Sequence, residues 1–350
     1  MSLSALRRGS RGSHLLTLAV ETSCDDSAVA LLDGSRVIAE SVSTQEIHGA
    51  HGGVVPELAS RRHLEVIPGQ VSSLLRQSGV SGIGEIGVFA ATAGPGLVGS
   101  LLVGLSWTKA AAWATGGRFL GINHLAAHLH THYTGPASVD FPAAALLVSG
   151  GHTCLFSMTS WKEFRLEGAT RDDAAGEAFD KTAKLMGLGY PGGRLLDEAA
   201  DRGDPLAVTL PAPLGDPSLP EFSFSGLKTA VRQRWEAGAA IEDIAASFRL
   251  VVVNILVSKL LHLAGRMNAA SVLVAGGVSA NSLLRRVLDE KCRRLGLSLF
   301  LPPQAHATDN AVMVGRAAAA ILDLNPQASS PLACNAFARW TGDRLAALCL

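Results

Sequence analysis

Neither sign of charge is in excess in this chain: 30 Lys and Arg stand against 30 Asp and Glu, so the formal net charge is zero. A balanced chain has no global field to attract a polyanion, and any nucleic-acid contact has to come from a local patch. Aromatic residues make up only 5% while glycines number 37, which favours tight turns and close backbone approaches over aromatic stacking platforms. The five cysteines (Cys24, Cys154, Cys292, Cys334 and Cys349) are odd in number, scattered and never in a C-x-x-C pair. That excludes a disulfide framework and a thiolate zinc site, and it fits a reducing compartment. No secretory h-region is present. The apolar stretch from Leu97 to Ala114 is interrupted by Ser100, Ser106, Thr108 and Lys109, so it predicts a buried helix rather than a membrane span. The first thirteen residues hold Arg7, Arg8 and Arg11 with four Ser and no acid. A transit peptide is usually longer and amphipathic, so a disordered bacterial leader is the preferred reading.

Acids are absent over one long interval, from Ile86 to Val139. This decides the meaning of Gly94-Pro95-Gly96-Leu97-Val98-Gly99, which matches G-x-G-x-x-G between a strand and a helix. A dinucleotide site needs a carboxylate about 20 residues further on for the ribose hydroxyls. There is none, so the segment reads as a glycine-rich strand-to-helix turn.

What is present describes a packed α/β protein. Hydrophobic residues make up 48% and charged residues 17% of 350 residues, enough for two medium domains. Leu15–Val20, the turn Glu21-Thr22-Ser23-Cys24-Asp25-Asp26 and Ala28–Leu32 read as strand, turn, strand. Arg36–Val42 follows as a third strand, then a helix from Pro56 to about Gln77, a strand at Ile86–Ala91 and the helix beginning at Leu97. The opening unit returns at Ala143–Val148, Ser149-Gly150-Gly151-His152 and Thr153–Met158. Helical patterns then cover about 174–186, 194–201, 227–235 and 241–267, with a buried strand at Val272–Ala275 and helices from about Asn281 and Asn310. Two related units predict two α/β lobes around a central cleft.

Several constellations carry chemistry. His124-Leu125-Ala126-Ala127-His128 puts two imidazoles on one helical face, as two ligands of one metal require. His130 and His132 crowd the segment, and surface or core histidines remain open as an alternative. Leu125 stands where a H-E-x-x-H protease has its glutamate, which removes that chemistry. Thr308-Asp309-Asn310 begins a helix, so Thr308 or Asp309 suits an N-cap, and Asp309 equally suits a third ligand. Gly150 and Gly151 make either a plain hairpin turn or an anion cradle. Asp25 and Asp26 suit either a solvated turn or a reacting site. Ala275-Gly276-Gly277-Val278-Ser279-Ala280-Asn281 lets a planar ligand lie on the backbone or merely turns strand into helix. Arg285, Arg286, Lys291, Arg293 and Arg294, with Arg61 and Arg62 elsewhere, form either solvated faces or RNA contacts.

Taken in order, ETSCDDSAVALL, HGGVVPELASRRH, TAGPGLVGSLLVG, NHLAAH, LLVSGGHT, DDAAGEAFDKTAKLMGLGYPGG, FSFSGLKTA, VAGGVSAN and ATDNAVM span about residues 15–315. The set resembles the TsaD family of tRNA N6-adenosine threonylcarbamoyltransferases, formerly described as O-sialoglycoprotein endopeptidases. The resemblance implies the actin/Hsp70/sugar-kinase (ASKHA) fold, with RNase H-like lobes at 14–140 and 141–325 and a segment 326–350 packing back on the first. It implies one divalent metal per subunit, iron or zinc, on His124, His128 and Asp309. It implies a threonylcarbamoyl-adenylate donor held by Leu147, Val148, Ser149, Gly150, Gly151, Asp180, Gly193, Asp197 and Asn281, Asp197 being the position least constant in the family.

The implied reaction is transfer to the N6 amine of adenosine 37 in tRNAs reading codons that begin with adenine, forming t6A and releasing AMP. Asp25 and Asp26 are the candidate catalytic carboxylates for taking or positioning the amine proton. The implied partners are tRNA, a smaller paralogous TsaB-like subunit and a TsaE-like ATPase if the protein is bacterial, or a homodimer if it is organellar, with no membrane. The expected location is the cytoplasm, with the mitochondrion as alternative. An ATP-dependent small-molecule kinase and an inactive nucleotide-binding scaffold are the competing functions, and the His-His-Asp set argues against both.

Overall fold

The computed structural model describes residues 15–51 and 53–339. The arginine-containing leader, Cys349 and the end of the 326–350 segment lie outside the described residues. Contacts divide the chain into two units: the described residues up to Ser138 together with those from Asp309 onward, and Val139–Thr308.

The first unit begins with strands β1 (Leu16–Glu21), β2 (Asp26–Asp33) and β3 (Arg36–Thr44), followed by helix α1 (Pro56–Ser78). Strand β4 (Val88–Gly94), helix α2 (Val98–Thr115), strand β5 (Arg118–Asn123) and the short helix α3 (His124–Leu129) complete its N-terminal part. The sheet order is β3-β2-β1-β4-β5. The first three strands are antiparallel, whereas β1, β4 and β5 run parallel. Leu18, Val20, Val29 and Leu31 share a core with Ile67, Val71 and Leu74 of α1 and Leu105 and Ala112 of α2. Successive strand residues face opposite sides, and Leu32 points the other way, onto Gly315. With both faces covered, the strands read as continuous apolar runs rather than alternating ones.

The second unit holds β6 (Ala143–Val148), β7 (Thr153–Met158), β8 (Phe164–Ala169), α4 (Ala175–Leu185), α5 (Gly193–Ala200), α6 (Ser225–Glu236) and α7 (Ile241–Arg266), then β9 (Ser271–Ala275), α8 (Ser282–Leu295) and β10 (Ser298–Phe300). Its order, β10-β9-β6-β7-β8, repeats the first sheet strand for strand: three antiparallel strands beside two parallel ones. Among the described residues one helix, α7, is long and apolar enough to cross a membrane, and 72% of its apolar window is buried. That burial is in the core of this unit, against Phe179, Leu146 and Val274. The Leu97–Ala114 stretch is helix α2, buried on one side only: Ser100 and Thr108 lie inside, while Val98, Leu102 and Trp113 are exposed.

Helix α9 (Ala311–Leu324) corrects the expected boundary at 325. It leaves the second lobe and lies on β1 and β2 of the first. Its small residues explain the placement: a Cβ on Gly315 would run into Leu32, so only this glycine lets the helix sit so close to the sheet. The described part of 326–350 follows the edge of the same sheet. Ser330 N–H donates to Phe119 O at 2.8 Å, and Phe337 N–H donates to Ala93 O at 3.1 Å. Cys24, Cys154, Cys292 and Cys334 are all free thiols.

Candidate active site

Helix α3 exists because Asn123, the last residue of β5, caps it. The Asn123 carboxamide oxygen accepts from Leu125 N at 2.9 Å and from Ala126 N at 3.1 Å, a cap worth about 1 kcal/mol. With the helix so started, His124 and His128 lie one turn apart, ring centroids 4.6 Å from each other. Both are buried, at 4% and 2% exposure. Asp309 meets them from the other end of the unit: its Oδ1 is 3.1 Å from His128 Nε2 and 3.8 Å from His124 Nε2. Asp309 is not the helix cap. Asn310 takes that role, accepting from Met313 N at 3.0 Å, and this leaves the Asp309 carboxylate to the histidines.

The three side chains fit a metal. One donor atom from each lies within 4.8 Å of the others, and ligand bonds of about 2.0–2.2 Å need donors at roughly such spacings. His128 Nε2 is buried without a hydrogen-bond partner despite its nearness to Asp309. Lone pairs converging on a common point, rather than on each other, produce that arrangement. His130 takes no part: its Nδ1 lies 2.7 Å from Ala126 O, within its own helix turn.

A residue that sequence reasoning missed completes the centre. Glu21 is fully buried at the end of β1 and lies 3.3 Å from His124 Nδ1. An Nδ1–H donated to Glu21 leaves Nε2 for a metal, the usual carboxylate–histidine support of a ligand. Burial opposes the charge on Glu21, but His124 and the bond from Ser23 overcome it and hold the carboxyl below its ordinary range. Burial likewise opposes the charge on His124, and Asp309 with Glu21 raises it to about 9. The signal was a lone acid ending an apolar strand.

The turn after Glu21 is pinned by the glycine-rich segment. Leu97 N–H donates to Ser23 O at 2.8 Å, and a Cβ on Gly96 would come within 2.7 Å of that same oxygen. Thr22 Oγ1 donates to Ser100 O at 2.9 Å. The G-x-G-x-x-G match is therefore a packing surface for the Glu21–Asp26 turn. Ser23 Oγ reaches Asp309 Oδ2 at 3.5 Å. Asp25 is half-buried there, and Asp26 opens β2 opposite Thr44. Asp26 Oδ1 is buried with no hydrogen-bond partner. Burial, with help from Asp309, Asp25 and Glu21, raises the Asp26 carboxyl to about 6 against an opposing bond from Thr44.

The second lobe holds the other candidates. Leu147 and Val148 end β6, and the turn is closed by Ser149 N–H to His152 O at 2.8 Å and His152 N–H to Ser149 Oγ at 3.1 Å. Gly150 and Gly151 form its tip. Neither adopts the left-handed region, and a Cβ on either would meet no protein atom within 4 Å. Fold geometry therefore does not require glycine at the tip. Gly176 and Gly276 are different: a Cβ on Gly176 would clash with Ser149 O at 2.6 Å, and one on Gly276 with Val148 O at 2.5 Å. These two hold the turn; Gly150 and Gly151 keep it bare, which suits an anion approaching backbone amides.

Asp180 Oδ1 accepts from Gly192 N at 2.8 Å and Gly193 N at 3.0 Å, fixing the start of α5. Asp197 Oδ1 accepts from Asn281 Nδ2 at 2.7 Å, and its Oδ2 from Ser282 N at 3.2 Å. Asn281 also caps α8 through Leu284 N at 3.0 Å. Sequence reasoning missed Arg249, whose Nη1 donates to Asp197 Oδ1 at 2.7 Å and Asp201 Oδ1 at 2.6 Å. The pairing and burial make Asp197 a clamp between α5, α7 and α8. Arg249 was legible as a lone charge in an apolar helix. Of the basic cluster, Arg285 is committed to Ser279 O and Pro302 O. Arg293 and Arg294 pair with Asp289 and Glu290, and Arg62 pairs with Glu65. Arg61, Arg286 and Lys291 stay exposed.

Comparison with known proteins agrees with this geometry. The family model of TsaD, tRNA N6-adenosine threonylcarbamoyltransferase, matches residues 36–316, a span holding the His-His-Asp set and every cradle residue but not Asp25 or Asp26. Enzymes of that description from Thermotoga neapolitana and Pelobacter propionicus are each 44% identical to the chain. The first match covers 86% of this chain and 92% of the relative, the second 95% and 98%. The one from Anaeromyxobacter dehalogenans is 45% identical over 85% and 91%. Solved structures share the fold at low identity. Component A of (R)-2-hydroxyglutaryl-CoA dehydratase from Acidaminococcus fermentans superposes with TM-score 0.53 at 17% identity, covering 87% of this chain and 99% of that one. HypF from T. kodakarensis superposes with TM-score 0.60 at 15% identity, covering 90% and 48%. The two mixed sheets thus match the actin/Hsp70-like architecture. With the relatives spanning nearly the whole chain and the metal cluster in place, the chain belongs to the TsaD family of tRNA N6-adenosine threonylcarbamoyltransferases, metal-dependent acyltransferases that form t6A on tRNA.

Proposed function

We propose that the donor is threonylcarbamoyl-adenylate and the acceptor the N6 amine of adenosine 37 in tRNAs reading codons that begin with adenine. The observation that carries the donor assignment is the bare turn at Gly150–Gly151, where glycine serves no need of the fold. Backbone amides there suit the phosphate of an adenylate. Asn281, Asp197, Asp180 and Gly193 surround the start of α5 and α8 and suit the nucleoside.

His124, His128 and Asp309 would hold iron(II) or zinc(II), both of which accept two imidazoles and a carboxylate. Bound there, a divalent metal supplies Lewis acidity and charge neutralisation for a mixed anhydride. The chain's own groups do the rest. Glu21 keeps His124 in the tautomer with Nε2 free, Ser23 steadies Asp309, and Asp25 or Asp26 takes the proton released when N6 bonds to the carbamoyl carbon. As that C–N bond forms, the C–O bond to phosphate breaks and AMP leaves. Asp26, with its carboxyl raised towards neutrality, is suited to exchanging a proton near pH 6–7.

The reading extends to a cytoplasmic enzyme working with a smaller paralogous subunit and an ATPase, since the balanced charge offers weak tRNA attraction by itself. Labelled threonylcarbamate, presented as its adenylate to the metal-loaded chain and tRNA with and without those subunits, tests this. Label on tRNA and stoichiometric AMP are expected. Label on tRNA only when ATP is supplied in place of the adenylate would overturn the donor assignment. Elemental analysis distinguishes iron from zinc.

A further inference from the structure

We propose that His63 is a positioning residue for the transfer step, its ring holding the Cys24 carbonyl before Asp25–Asp26 and the Ser27 hydroxyl after them; this rests on the reading that the Asp25–Asp26 turn takes part in transfer.

His63 lies on the buried face of α1 with Ala59, Ile67 and Val71 and is fully shielded from solvent. A histidine in such a stripe is ordinarily a core residue with satisfied nitrogens. Its partners set it apart. Nε2 is 2.9 Å from Cys24 O, and Nδ1 is 2.7 Å from Ser27 Oγ. One rigid ring thus contacts the residue before the two acids and the residue after them. A carbonyl only accepts, so Nε2 carries the hydrogen and Nδ1 accepts from the Ser27 hydroxyl. That tautomer satisfies both nitrogens in the neutral ring.

The brace continues along buried side chains. Gln70, two turns further along α1, donates to Ser27 O at 3.0 Å. Gln45 Nε2 donates to Ala59 O at 3.2 Å and lies 3.4 Å from His63 Nδ1. Gln45 Oε1 accepts from His48 Nε2 at 3.0 Å, and His48 Nδ1 accepts from Val55 N at 3.3 Å. Gln45, His48 and Val55 are therefore tied to the same turn as the two acids. On its other side Leu97 holds Ser23 O. The Asp26 carboxyl takes a bond from Thr44, while its Oδ1 has none. Its direction depends also on the chain entering and leaving it, and His63 holds that chain at the Cys24 carbonyl and the Ser27 side chain.

The test compares His63→Asn with His63→Gln in the full-length, metal-loaded enzyme, using labelled threonylcarbamoyl-adenylate and tRNA. Gln presents an amide N–H near the position of Nε2 and keeps the bond to Cys24 O; Asn is too short to do so. His63→Asn is expected to lower kcat by roughly 10- to 100-fold through misplacement, with KM for tRNA and metal content unchanged, and His63→Gln is expected to recover most of it. Equal impairment of both variants, an unchanged kcat in His63→Asn, or loss of metal in step with kcat would overturn the proposal. Should His63→Asn fail to fold, Ser27→Ala removes the second anchor alone, as His63→Gln does, and is expected to lower kcat to the same small extent; an unchanged kcat in both overturns it as well. Asp25→Asn and Asp26→Asn, measured beside these, separate the two readings. Wild-type rates in both would refute the role of the acids, whereas slow acid variants beside a fast His63→Asn would refute His63 alone. On an Asp26→Asn background His63→Asn is expected to cost no further activity, and additive losses would show that it acts elsewhere.

Discussion

The hairpin between the first two strands stands at the same place in both lobes, yet its chemistry is opposite. In the first lobe β1 and β2 are joined through Glu21, Asp25 and Asp26, with no glycine, beside two histidines and Asp309. In the second, β6 and β7 are joined through Ser149, Gly150 and Gly151, with no acid and bare amides. One strand order thus carries acids at this hairpin in one copy and bare N–H groups in the other. Duplicated topology supplies the position, and a few turn residues choose the charge. The glycines differ in the same way: Gly96 in the first lobe is needed by its neighbours, whereas Gly151 has open space around it.

The comparison breaks first at the metal. His128→Ala is expected to abolish metal binding and lower transfer by at least ~100-fold, with an unchanged circular dichroism spectrum. Full metal retention by elemental analysis would end the assignment of His124, His128 and Asp309 to a metal.

Glu21→Gln removes a charge but touches no metal. A weakening of metal affinity by roughly 10- to 100-fold is expected, measured by competition with a chelator; an unchanged affinity would make Glu21 a packing residue only.

The glycines offer a paired test. Gly151→Ala should keep its melting temperature yet bind an adenylate analogue about tenfold more weakly, a loss of ~1.4 kcal/mol, by calorimetric titration. Gly96→Ala should do the reverse, losing about 1–3 kcal/mol of stability because its methyl group meets Ser23 O. If both variants lose stability alike, Gly151 serves the turn and not a ligand.

The smallest effect concerns pH. The Asp26 carboxyl is raised from its ordinary 3.8 to about 6 in the folded chain. Between these values the folded state binds more protons than the unfolded one, so the stability it contributes is full below about pH 4 and is lost as pH rises through 6. Asp26→Asn should therefore melt progressively higher than wild type between pH 4.5 and 7, by about 1–2 kcal/mol in all, while transfer slows. A constant difference in melting temperature across that range would remove Asp26 as the titrating group.

Much of the fold was legible in the sequence because both sheets bury two faces and leave long apolar runs. Ala143–Val148 and Thr153–Met158 agree with β6 and β7 end for end. Strands β5, β8 and β10 were missed, β5 although it is buried on both faces. Arg118 begins β5 just after two glycines, Arg165 and Leu166 of β8 are exposed, and β10 has three residues. In the site, helical spacing pointed to His124 and His128, and resemblance added Asp309. Glu21 and Arg249 went unread because each seemed a single charge in an apolar segment, and its partner lies 103 or 52 residues away.

By itself the sequence determined the duplicated α/β units, the histidine pair, the failure of the dinucleotide motif and, through ordered motifs, the family. Those features depend on local spacing and composition, which survive in one dimension. Only the tertiary structure decided that the last helix returns to the first sheet, that Asn310 rather than Asp309 caps it, that Asp197 is clamped by Arg249, and that one buried imidazole spans both acids. Each is a contact between residues far apart in the chain, fixed by which surfaces pack together, and no local pattern encodes it.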